Sequence, residues 1–139
     1  MKEPSARRKR TLALHDRALR FSTAINTACP LHFTNYPSSV VWQQLVRASD
    51  SASSNLIEAD AGASDADFLN KMSIALREAK ESRAALIKIR MGQLDNHALT
   101  ASRDLESEAG QLAAIFASII LNMKLRLEAE KQKRRTLKQ

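Results

Sequence analysis

Phe68, Met72, Ala75, Ala79, Ser82, Leu86 and Ile89 follow one another at spacings of 4, 3, 4, 3, 4 and 3 residues. A mean step of about 3.5 keeps one face of an α-helix against its neighbours along a left-handed bundle seam. Leu69, Leu76 and Ile87 widen that stripe. So broad an apolar face belongs to a bundle helix rather than to a two-stranded coil. Ser64 is placed to cap this helix, with Asp67 following in a near match to the capping box, Asp standing where Glu or Gln is preferred. The pattern predicts a helix over about 65–92.

Three more helices can be drawn on the same grounds. The first covers about 11–28, with Leu14, Ala18, Phe21, Ile25 and Ala28 alternating at four and three. A loop with Pro30, Asn35 and Pro37 ends it, because proline cannot continue the backbone ladder. The second covers about 40–61, capped by Ser38 or Ser39, with a stripe of Val41, Leu45, Ala48, Ala52, Asn55 and Ala59. Its small central residues would let another helix approach closely. Gly62 suits a left-handed stop after it. The fourth covers about 99–131, with Leu105, Ala109, Leu112, Phe116, Ile119 and Met123 as its seam. Only three Gly and three Pro occur, and no strand-like alternation is present. The expected fold is all-α, an up-down four-helix bundle over 11–127 between basic tails at 1–10 and 128–139. A chain of 139 residues fits one core and no more.

Between Ile115 and Leu127 apolar side chains fall on nearly every side of the fourth helix. A helix apolar all round should be buried all round. One face of a lone four-helix bundle's helix meets water, so Ile115, Ile119, Ile120 and Leu121 are the expected contact between copies of a homo-oligomer. The apolar block from Leu112 to Leu121 falls well short of the roughly 20 residues of a membrane span. A single cysteine, Cys29, and a basic N-terminus without an apolar segment fit a soluble, cytoplasmic protein with no secretory leader.

The net charge of +7 is unevenly placed. Residues 1–10 and 124–139 carry twelve basic and three acidic residues, a net of +9, whereas residues 11–123 sum to −2. Arg7, Arg8, Lys9, Arg10, Lys131, Lys133, Arg134 and Arg135 are the candidate nucleic-acid contacts. Solvated ends that only keep the protein in solution are the plainer reading. Phe33, Tyr36 and Trp42 offer stacking surfaces, but none lies in a basic run, so sequence-tolerant phosphate contact is expected over base reading.

Catalytic and metal chemistry finds little support. A di-iron bundle wants Glu-x-x-His motifs, and residues Leu12, Cys29 and Leu94 stand three before the three histidines. Cys29 and His32 make one C-x-x-H pair without the second pair that zinc needs. The serines of the second helix have no histidine near them in sequence, and three glycines cannot build a phosphate loop. No metal, cofactor or enzymatic activity is expected. Glu78 and Glu81 read as helix-face ion-pair partners, with Arg77, or a partner on an adjacent helix near Arg83, a candidate for Glu81. Asn55, on the buried stripe, is expected to fix helix register, and Glu58 to pair with Lys71 or Arg77 across the turn.

Ser54-Asn55, Glu58-Ala59, a small-residue turn, Ser64-x-x-Asp67-Phe68, Lys71, Ile74-Ala75-Leu76 and Glu78-Ala79-x-Glu81-Ser82-Arg83 carry a resemblance over roughly residues 12–127. The chain resembles the four-helix-bundle family that includes proteins encoded in intervening sequences of large-subunit ribosomal RNA genes. It also resembles, more distantly, the accessory variability determinant of diversity-generating retroelements. This chain departs from the family pattern at Asp60, where relatives tend to have Gly, and at Ala84 and Ala85, where they commonly carry aromatics. The resemblance implies an up-down protomer in a ring-like homo-oligomer, pentameric in relatives. In the retroelement branch it implies basic barrels that bind nucleic acid and a reverse transcriptase.

The expectation is therefore a non-enzymatic oligomer that binds RNA or DNA, or a nucleic-acid enzyme such as a reverse transcriptase, through clustered basic tails. The alternative is a protein–protein scaffold or adaptor with no nucleic-acid role.

Overall fold

Four long helices are what these sequence periods produce: α1 (Ala6–Ala28), α2 (Tyr36–Asp60), α3 (Asp65–Gly92) and α4 (Ser102–Leu137), with no strand among the described residues. The computed structural model describes residues 2–99 and 102–139, Ser102 by its backbone alone. The helices run up, down, up and down, and pack around a closed square. α2 against α3 is the most extensive pairing, α3 against α4 comes next, and α1 leans on α2 with only light contact to α4. The core is made where the four seams meet. Ile25, Trp42, Leu45, Met72, Leu86, Ile89, Leu112 and Phe116 are fully buried there.

The α3 seam is buried as its spacing requires, apart from Phe68 at the bundle's end, which is half-buried. α2 and α3 come close because Ala48, Ala52, Ala75 and Ala79 are buried on the facing stripes. The serines beside them are also buried and return their hydroxyls to their own helix. Ser49 Oγ donates to Val46 O at 3.1 Å, Ser53 Oγ to Asp50 O at 3.0 Å and Ser82 Oγ to Glu78 O at 2.8 Å. Buried hydroxyls satisfied in this way add little bulk and leave no orphaned donor.

Several helix ends differ from the sequence expectation, each for a local reason. α1 begins at Ala6, five residues before Thr11, because Ser5 caps it and accepts from the Arg8 amide at 3.1 Å. The cationic run Arg7–Arg10 is thus helix rather than tail. α2 begins at Tyr36, where Asn35 accepts from the Ser38 amide at 3.0 Å and Pro37 sits in the first turn, a place where its missing N–H costs nothing. Ser38 itself is buried inside the helix. α4 runs on to Leu137, past the expected end near Lys131. At its other end Leu99 is buried but not helical, and Thr100 and Ala101, also expected in the helix, lie outside the described residues.

Gly62 does not adopt the left-handed conformation expected of a helix stop, since no glycine has positive φ. The site is tight rather than closed to other residues: a Cβ there would stand 2.8 Å from Asp67 Oδ2, a side-chain end that can turn away, and 3.1 Å from Ala59 O. Ser64 does cap α3, accepting from the Asp67 amide at 3.1 Å. The left-handed cap falls at the other end of α3, on Gln93 with φ 50°, and Leu94 N–H returns to Ile89 O at 3.0 Å.

The loop after α3 is pinned to the start of α2. Asp95 accepts from Thr34 N at 3.1 Å, from Thr34 Oγ1 at 2.6 Å and from Ser38 Oγ, and Trp42 Nε1 donates to Leu94 O at 2.8 Å. Trp42 is therefore a core residue with its one polar atom satisfied, 0% exposed, and not a stacking surface. Phe33 is half-buried, which leaves Tyr36 as the exposed aromatic of the three.

Candidate nucleic-acid interface

The up-down path puts the start of α1, the end of α2, the start of α3 and the last third of α4 at one end of the bundle. Two basic runs at opposite ends of the sequence therefore share one end of the structure. Their cations are not equally available. Arg8 reaches Asp60 at the end of α2 at 2.5 Å, and Lys9 reaches Glu3 at 3.3 Å. Arg126 lies 3.6 Å from Asp65 at the start of α3 and 3.8 Å from Glu130. No ion pair is formed by Arg7, Arg10, Lys131, Lys133, Arg134 or Arg135 among the described residues, and all six are exposed. Four of the eight expected cations thus sit on the projecting part of α4, and two of the four on α1 are engaged within the protomer.

Every residue from 128 to 139 is exposed, so the end of α4 stands clear of the bundle as a single helix. At about 1.5 Å per residue, residues 128–137 project some 15 Å. Lys131, Arg134, Arg135 and Lys138 are spaced so that they share one face of it, and Lys133 lies on the other. Arg134 and Arg135 occupy the last turn, where cations meet the negative end of the helix dipole. At α1 the arrangement is reversed. Four cations crowd the positive end of the dipole and no acidic residue stands in the first turn. Such a helix start is locally unfavourable and would be relieved by an anion.

The acidic residues that sequence counting spread over the middle are also gathered here. Glu58, Asp60, Asp65 and Asp67 edge the α2–α3 turn at this same end. Glu58 pairs with Lys71 at 3.1 Å, one of the two partners expected for it. The cationic surface is therefore two patches beside an acidic turn, which chain order alone does not reveal.

Asn55 does not fix register between helices. Its amide is half-buried and donates to Ser51 O at 2.9 Å and Ser51 Oγ at 3.1 Å, within its own helix. Glu78 and Glu81 share Arg47 of α2, at 3.3 and 3.0 Å, and not Arg77. Glu78 is buried, and that desolvation, with Glu81 beside it, raises its carboxyl above the ordinary range against the pull of Arg47. Two further interhelix pairs went unforeseen. Arg17 forks onto Glu108 at 2.8 and 2.5 Å, and Arg90 meets buried Glu106 at 2.7 Å. The forked guanidinium–carboxylate pair, with a further hydrogen bond from Arg17 Nη2 to Gln111 Oε1 at 2.9 Å, links the lightly packed α1 and α4.

Of the four residues expected between copies, Ile120 is buried within the protomer at 8% exposure, and Ile115 and Ile119 are half-buried against the core. Leu121 is 56% exposed, and Leu125, one turn on, is 59% exposed. The apolar excess of α4 is thus resolved into an inner side and an outer strip of Ala114, Ala117, Leu121 and Leu125.

Among the described residues no group of three or more His, Cys, Asp or Glu could hold a metal, and no helix is long and apolar enough to cross a membrane.

The family model described as 23S rRNA-intervening sequence protein matches residues 10–124. A solved structure, a protein with unknown function from the S23 ribosomal protein family of Bacteroides thetaiotaomicron, is similar with 27% identity and a TM-score of 0.61. The match covers 77% of this chain and 97% of that one. No protein of curated function matches the chain.

Proposed function

We propose, from the premise that this chain belongs to the 23S rRNA-intervening sequence protein family, that it is a non-enzymatic helical protein that binds nucleic acid, RNA first, across the cationic end of its bundle. The observation that carries this reading is that the basic start of α1 and the projecting basic end of α4 lie at the same end of the bundle. Neither patch is a strong site alone. Held at a fixed distance on one rigid body, they engage one polyanion together, and the second contact benefits from the effective concentration set by the first. The absence of exposed aromatics within the basic runs favours phosphate contact as the main source of affinity.

We further propose that copies associate through the outer strip of α4, which multiplies these ends as the family resemblance leads one to expect. The strip supports this because it is uncharged from Ala114 to Met123 on a helix whose opposite side is already buried. A nucleic-acid enzyme such as a reverse transcriptase would meet the assembly at the same cationic end.

Binding of a generic RNA at low and moderate salt tests the reading. Affinity should fall steeply with salt. Arg7→Ala with Arg10→Ala, or removal of residues 128–139, should each weaken binding and flatten the salt slope by about one unit per phosphate no longer neutralised. Affinity independent of both changes would leave the scaffold reading in its place.

A further inference from the structure

The α1 seam, Ala28, Ile25, Phe21, Ala18 and Leu14, continues toward the N-terminus onto Thr11 and Arg7. Those two positions would be apolar if α1 were packed along its full length. They are not, and Ala18 is the first buried residue of the helix. The start of α1 therefore closes over a cleft of about 480 Å³ rather than over a filled core. Its floor is apolar and comes from α2, α3 and α4: Leu56, Phe68, Met72 and Ile119. Leu56 and Met72 are buried, and Phe68 and Ile119 are half-buried. The mouth is polar, with Arg7, Thr11 and the Arg8–Asp60 pair.

Resting on the nucleic-acid reading above, we infer that this cleft receives one unstacked base of a single-stranded nucleic acid while the adjoining phosphates lie on Arg7 and Arg10 and the strand runs on toward the cations of α4. The chemistry of the mouth selects this occupant. A base offers both donors and acceptors on its edge, and the mouth offers both in return: the guanidinium of Arg8 donates, and the carboxylate of Asp60 has lone pairs beyond the one its partner uses. A fatty acid would suit the floor and could set its carboxylate on Arg7, but it brings no donor to Asp60, whereas a base edge does. The volume lies within the usual range of sites that take a small apolar group under a few polar ones. Phe68, half-buried at the floor above the buried Leu56 and Met72, provides the ring against which a flat base rests. A duplex keeps its bases stacked and cannot enter, so the cleft makes the cationic end prefer single strands.

The test compares the full-length protein's affinity for a short single-stranded RNA and for the duplex of the same sequence, at one salt concentration. Thr11→Trp fills the cleft from its rim without altering any charge. The protein should bind the single strand more tightly, and Thr11→Trp should lower that affinity about tenfold, the worth of one stacked base, with duplex binding unchanged. Thr11→Leu fills less and should act in the same direction if tryptophan disturbs α1, as judged by circular dichroism. Equal affinity for both forms, or an unaltered single-strand affinity in the folded variants, overturns the inference and leaves phosphate binding standing. Failure of the unaltered protein to bind either form at low salt overturns both. Competition by a medium-chain fatty acid for the cleft, with RNA binding indifferent to the filled variants, would assign the cleft to a lipid and also overturn the inference.

Discussion

Glu78 is a carboxylate held where an ionised group is poorly solvated. Burial raises its folded pKa above the usual 4.5, Glu81 adds to the rise, and Arg47 offsets part of it. For an acid whose folded pKa is raised, the native state holds its proton more tightly than the unfolded chain. The associated stability is complete below the unfolded value and is lost as pH rises through the folded one. Glu78→Gln removes the charge but keeps an oxygen for Arg47. Its melting temperature should exceed that of the unaltered protein at neutral pH, and the difference should shrink as pH falls through the folded pKa. A variant less stable at neutral pH and unchanged by acid would show that the Arg47 pair outweighs the burial. The pair was half-legible: two acids three apart on one helix face signal cationic partners. From the sequence, Arg77 and a partner on an adjacent helix are both open for Glu81; that it is the latter, and that the cation is Arg47, depends on how α2 and α3 pack.

At the scale of elements, α4 does two jobs along one continuous helix. From Leu105 to Ile120 its inner side belongs to the core, and from residue 128 onward nothing is buried. Removing residues 128–139 should therefore leave the melting temperature of the bundle nearly unchanged, within about 0.5 kcal/mol of stability, because that segment contributes nothing to the core. A large drop on thermal denaturation would mean the projecting helix is packed against something after all. α1 is the converse case. It is held by a short apolar stripe, the forked Arg17–Glu108 pair and the Arg8–Asp60 pair. Its seam was readable as far as Leu14, but its true start was not, because four consecutive cations look like a tail and a single serine cap turns them into helix.

At the scale of the whole molecule, the apolar excess of α4 was legible and its division was not. Helical period alone puts Ile119, Ile120 and Leu121 on different sides but does not say which side the other three helices take. Packing gives Ile120 to the core and leaves Leu121 and Leu125 outside. On the proposed association through the outer strip of α4, Leu121→Glu with Leu125→Glu should yield folded protomers of lower assembled mass by light scattering, whereas Ile120→Glu should unfold the protomer by burying an unpaired charge. An oligomer unaffected by the double variant would move the contact between copies elsewhere.

The sequence by itself determined the helical class, the seams of α1, α3 and α4 and the capping of α3, because helix period and cap chemistry are local and act through neighbours within a few residues. It also determined that positive charge collects at the two ends of the chain. Tertiary structure decided that those ends share one end of the bundle, that the acidic α2–α3 turn sits beside them, and that an apolar cleft opens where the α1 seam turns polar. Each of these depends on which residues distant in the chain become neighbours, and that is set by the packing of four helices together.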